Sequence, residues 1–135
     1  MGNVYIFVIA AALAVFSISI IFKISMDAIK EEPEKKNQVQ TKFFIWLAIS
    51  EIIPIILIVF GFINLESVPT IEALYVPGLI VIVLVGFAAL FITLQRIVGV
   101  PSELKPFVKS FASTALATTI SIPIIAIVAM MTMMP

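Results

Sequence analysis

The chain contains no cysteine and no histidine. That excludes disulfides, thiolate nucleophiles, the usual haem and zinc ligands, and any acid–base step run by an imidazole. Charge is scarce as well: 12% of the 135 residues are Asp, Glu, Lys or Arg, and eight cations cancel eight acids. No basic excess points to nucleic acid, and none is expected as a partner. What remains is apolar, with 62% hydrophobic residues and a mean hydropathy of +1.25. A soluble domain is closer to half apolar and a quarter charged, and one of this size could not hide so much apolar surface.

Four stretches carry no charge or a single one: Met1–Phe22, Phe43–Leu65, Ala73–Gln95 and Ser110–Pro135. Each reaches the roughly 20 residues that a helix needs to cross about 30 Å of hydrocarbon. The expectation is an all-α, polytopic membrane protein whose four transmembrane helices form two tandem helical hairpins, residues 1–68 and 69–135. Four spans leave no room for a soluble domain. The first stretch has neither the basic leader nor the small-residue cleavage site of a signal peptide, so it reads as a retained helix.

All eight cations lie in or beside two connections. Lys23, Lys30, Lys35, Lys36 and Lys42 flank the first, and Arg96, Lys105 and Lys109 the second. The middle connection carries Glu66 and Glu72 and no cation. The positive-inside rule then places both basic loops in the cytoplasm and both termini outside. The first loop, Asp27–Asn37, is the most polar part of the chain; it reads as a solvated connector or as a docking surface for a soluble partner.

The two halves resemble each other. Pro54-Ile-Ile-Leu-Ile-Val59 recurs as Pro123-Ile-Ile-Ala-Ile-Val128, with five of six residues identical, and Pro33 in one basic loop has Pro101 in the other. The matches keep register along a hairpin and point to a duplicated unit of about 68 residues. The first helix is rich in small side chains (Ala10, Ala11, Ala12, Ala14, Ser17, Ser19), and the third has Gly86, Ala88 and Ala89 at similar depth. In lipid, small residues let backbones approach, either within one chain or between copies.

One residue stands out. Glu51 lies eight residues past Phe43, about 12 Å into the hydrocarbon at 1.5 Å per residue. A charge there costs about 2.5–3.5 kcal/mol on insertion scales, so lipid favours the neutral acid. A carboxyl kept neutral in lipid and ionised only where a cation or water meets it can carry a proton. Three residues on, Pro54 cannot donate to the carbonyl of Ser50, leaving an acceptor beside the acid. In the second half the matching position is Ile120, among Thr118, Thr119 and Ser121; their hydroxyls are expected to bond back to their own helix.

These residues resemble the c subunit, or proteolipid, of rotary ATP synthases and ATPases. Pro33 precedes Glu51 by eighteen residues and Pro54 follows it by three, the family's spacing of loop proline, acid and second proline. Thr41–Pro54 is the strongest part of the match, which covers about Ala10 to Ile63. A fused double hairpin with one acid is similar to the proteolipids of vacuolar-type and some bacterial enzymes. Glu31-Glu32-Pro33 stands where the family has Arg-Gln-Pro, and alanine and serine stand where it has a glycine ladder.

The resemblance implies a non-catalytic rotor-ring subunit in a bacterial cytoplasmic membrane, with no cofactor and no metal. Glu51 would bind the proton, with Ser50 and Pro54 supporting the site and Glu31, Glu32 and Pro33 forming the loop that meets the central stalk. Its partners would be further copies of itself in a ring, a stator subunit supplying an arginine, central-stalk subunits and membrane lipid. No glutamine precedes the site in the first helix, and Ile52 follows the acid, so the implied ion is a proton and not sodium. Two other classes stay open. One is a small four-helix proton-coupled antiporter, although that family's acid lies in the first helix. The other is a proteolipid-like scaffold without rotary function, which the odd loop would suit.

Overall fold

The computed structural model describes residues 2–135, and every regular element among them is helical. Five α-helices follow one another: α1 (Gly2–Glu31), α2 (Lys36–Ser50), α3 (Ile52–Ile63), α4 (Tyr75–Ile97) and α5 (Lys105–Thr132). Short 3-10 turns at Pro33–Lys35, Ile71–Leu74 and Ser102–Leu104 introduce α2, α4 and α5. Only Glu51 separates α2 from α3, so four helical stretches are long and apolar enough to cross a membrane: Val4–Glu31, Pro33–Ile63, Ile71–Ile97 and Ser102–Thr132. The expected all-α class and the four spanning-length helices are present. The first expected span begins at Met1, which lies outside the described residues.

Proline and glycine set the boundaries. Pro33 opens its 3-10 turn and Pro106 sits in the first turn of α5, positions where a missing N–H costs nothing. Gly99, with φ +69°, follows the Val98 cap of α4 and takes the left-handed conformation that ends many helices.

The polar segment Asp27–Asn37 is not the loop expected from its charges. α1 runs on to Glu31, α2 starts at Lys36, and Glu32 alone lies outside a helix or turn. The cause is amphipathic. Met26 and Ile29 are fully buried against the bundle, while on the exposed side Lys23 pairs with Asp27 at 3.0 Å, one turn on. Spacing of this kind supports a helix in water as well as in lipid.

α1 is the hub, packed against all four other helices, and α4 and α5 also pack against each other. Phe7 meets Phe62 and Phe22 meets Phe43, so α1 runs antiparallel to α2 and α3. At the basic end Phe22, Phe43 and Phe111 form a mutual ring cluster with centroids 4.9–6.1 Å apart, joining α1, α2 and α5. The second span is the outermost. Its buried seam is Phe43, Leu47, Pro54, Ile58 and Gly61, and large apolar side chains such as Trp46, Ile53, Ile56 and Phe60 are exposed. At Gly61 the approach to α1 is closest: a Cβ there would stand 2.7 Å from the Phe7 ring and 2.9 Å from Ile6.

Both basic connections lie at one end. The Lys30 ammonium donates to the Val98 carbonyl at 2.8 Å, and the Lys36 ammonium sits 5.2 Å from the centre of the Phe107 ring. At the opposite end, in the cation-free connection, the Val68 N–H donates to the Met133 carbonyl at 2.9 Å.

Candidate functional site

Glu51 falls in the buried seam of the second span, between Leu47 and Pro54, at the point where α2 gives way to α3. Its backbone (φ −84°, ψ −9°) is flatter than the helical ψ of about −42°. The ladder nevertheless continues past it. The Glu51 N–H donates to the Leu47 carbonyl at 3.0 Å, and the Ile55 N–H donates to the Glu51 carbonyl at 2.9 Å. What is lost is the bond that residue 54 would make, since proline has no N–H to offer the Ser50 carbonyl. The sequence predicts a weakened helix near Pro54, and the interruption falls at the acid itself.

The side chain of Glu51 is part-buried. Its Oε1 is buried and has no hydrogen-bond partner among the described residues; Ser19 Oγ is the other such atom. A buried acceptor without a donor is costly.

The other expected site residues fare differently. Ser50 lies beside Glu51, but its hydroxyl donates to the Leu47 carbonyl at 2.9 Å, so it is spent within its own helix. Pro54 is buried on the seam and supplies the break. Glu31, Glu32 and Pro33 form the turn at the basic end, where Glu32 pairs with Lys35 at 3.3 Å and both side chains are about half exposed. The 15 residues of α2 put about 22 Å between that turn and Glu51, so the turn is no part of the site.

The matching region of the second half carries no polar site. α5 continues unbroken through Pro123. Thr118 donates to Thr114 O at 2.9 Å, Thr119 to Ala115 O at 2.6 Å and Ser121 to Thr118 O at 2.7 Å. As expected, each hydroxyl is bonded back to its own helix. Among the described residues no three His, Cys, Asp or Glu side chains gather as metal ligands would.

Two features escaped the sequence reading. Ser19 is buried without a partner, and nothing in a stripe of small residues distinguishes it from Ser17. Gly61 is the glycine of closest approach, whereas Gly86, the one singled out for packing, has open space where its Cβ would be. The spacing Leu47, Pro54, Ile58, Gly61 would have found it, because these residues share one helical face.

No family model, no curated protein and no solved structure matches the chain.

Proposed function

We propose that the chain is a proton-carrying subunit of a membrane rotor ring, a proteolipid in the manner of rotary ATP synthases and ATPases. Glu51 is its one proton-binding residue. In this reading two tandem hairpins stand in a bacterial cytoplasmic membrane, with the basic loops inside and both termini outside. Copies pack into a ring, with α1 and α4 towards its axis and the second span and α5 towards lipid. Glu51 crosses the lipid as the neutral acid. It ionises where a stator subunit brings an arginine and water, and the released proton leaves by that water. The stator and the catalytic head belong to other chains.

One observation carries the reading: a single carboxyl at mid-span, on the outermost helix, with a buried oxygen that no donor among the described residues satisfies. Two others support it. The cations gather at one end of the bundle, as the topology requires, and Gly86, open in the single chain, suits the close approach of a neighbouring helix. The antiporter reading needs an acid inside the first span. Asp27, the first acid of α1, is exposed at the basic end and paired with Lys23.

The test is the mass of the intact oligomer released in mild detergent, combined with ATP-driven proton uptake by membrane vesicles. The expected mass is that of one closed ring, a fixed high multiple of 14.7 kDa. Glu51→Gln should abolish uptake, because the amide keeps the shape and cannot ionise. A monomer or dimer, or uptake that survives Glu51→Gln, would overturn the reading.

A further inference from the structure

At the basic end, where α4 stops and α5 begins, a hollow of about 240 Å³ is lined by Arg96, Ile97, Lys105 and Lys109. Three of the four lining residues are cations, and none of the three makes an ion pair among the described residues; the pairs there are Lys23–Asp27 and Lys35–Glu32. Glu103, the nearest acid in sequence, is exposed on the preceding 3-10 turn and does not line the hollow. The first turn of α5 adds the positive end of its dipole. Three like charges around one small space repel each other, and an anion relieves that repulsion. The fourth lining residue, Ile97, is exposed and apolar, and it continues a stripe of exposed side chains, Leu90, Leu94 and Ile97, along α4. These lie at i, i+4 and i+7, one helical face. A cationic hollow at the end of such a stripe fits a molecule with a phosphate at one end and a hydrocarbon tail at the other.

We propose that this hollow binds the phosphate headgroup of an anionic phospholipid, whose acyl chain lies along Leu90, Leu94 and Ile97. Arg96 offers a planar fork for two phosphate oxygens. Lys105 and Lys109, one turn apart on α5, close the hollow from the other side. The site is complete within one chain and stands whether or not the chain forms a rotor. It differs from the groove between α1 and α2 that holds Lys42 and Trp46, where a single cation faces a wall that is apolar but for Ser25.

The test is native mass spectrometry of the full chain in detergent, with phosphatidylglycerol and phosphatidylcholine of equal chain length supplied together. One phosphatidylglycerol per chain should be retained in preference to phosphatidylcholine. That preference should fall about fivefold for each cation removed, the worth of one cation near an anionic surface, and vanish in R96Q/K105Q/K109Q. R96K/K105R/K109R keeps the charge and should keep the preference; a thermal melt of each variant shows that the fold survives. K23Q/K35Q/K42Q removes equal charge elsewhere and should leave the preference intact. An equal loss in that control, or no loss in R96Q/K105Q/K109Q, would overturn the site. Displacement of the lipid by millimolar inorganic phosphate would assign the hollow to a free anion. Tight binding of octaglutamate with the same variant sensitivity, and no lipid preference, would assign it to an acidic protein partner. Either result defeats the lipid proposal.

Discussion

Two spans carry the same proline in nearly the same words, Pro54-Ile-Ile-Leu-Ile-Val59 and Pro123-Ile-Ile-Ala-Ile-Val128, and they fold differently. The second span yields at Glu51, whereas α5 runs straight through Pro123. Both prolines are buried, so the proline alone does not decide the outcome. What differs is the setting. Around Pro123 the residues Thr119, Ile122, Ala126 and Ala129 are all buried, and packing along this broad face holds the helix through the missing bond. Around Pro54 the helix is held on one narrow seam, and the position three residues earlier is an acid and not Ile120. The second span carries an acid where its helix is interrupted, whereas α5 is an unbroken packed helix.

The sharpest way to break this contrast is Ile120→Glu. If the second half offers no partner for an acid, a carboxyl there should lower unfolding stability in detergent by about 1–3 kcal/mol, the cost of a buried polar group without a partner. A cost below about 1 kcal/mol would mean that the site's geometry survives in both halves. The next effect concerns packing along the outer span. Gly61→Ala drives a methyl into Phe7, which is fully buried, and should cost about 1–3 kcal/mol. Gly86→Ala meets open space and should change single-chain stability by less than about 0.5 kcal/mol. If Gly86→Ala nevertheless lowers the yield of the intact oligomer, Gly86 lies between copies.

Much of the fold was legible in advance because hydropathy reports directly on the length of an apolar helix. The four helices of spanning length, the gathering of cations at one end and the back-bonded hydroxyls around Ile120 all follow from spacing and charge. The missed parts are those that depend on what lies opposite. The charged end of α1 reads as a loop by composition, since averaging over polar residues hides the buried face of Met26 and Ile29. Ser50, which the resemblance makes a support of the site, spends its hydroxyl on the Leu47 carbonyl of its own helix. The Phe22–Phe43–Phe111 cluster exists only through partners on three helices, and no single segment announces it.

A smaller effect should come from the acid itself. Glu51→Leu removes the unsatisfied oxygen while keeping an apolar side chain on the seam, and should raise the stability of the isolated chain by about 1 kcal/mol. A loss of stability would mean that Glu51 holds the fold and is not retained for another purpose. Smallest of all is Thr119→Val, which deletes a buried hydroxyl whose acceptor, the Ala115 carbonyl, already belongs to the helix ladder. Its effect should stay below about 0.5 kcal/mol, and a larger one would show that the polar residues of α5 do more than bond to their own backbone.

The central claim is that one protonatable carboxyl per chain lies at membrane depth. A hydrophobic carbodiimide, which attacks protonated carboxyls in apolar surroundings, tests it on the chain as it stands, with the adduct located by mass spectrometry. The account predicts a single adduct, at Glu51, absent in Glu51→Gln, unaffected by millimolar sodium and declining as rising pH ionises the acid. Adducts mainly at Glu66 or Glu103, or labelling of Glu51 that ignores pH, would contradict it.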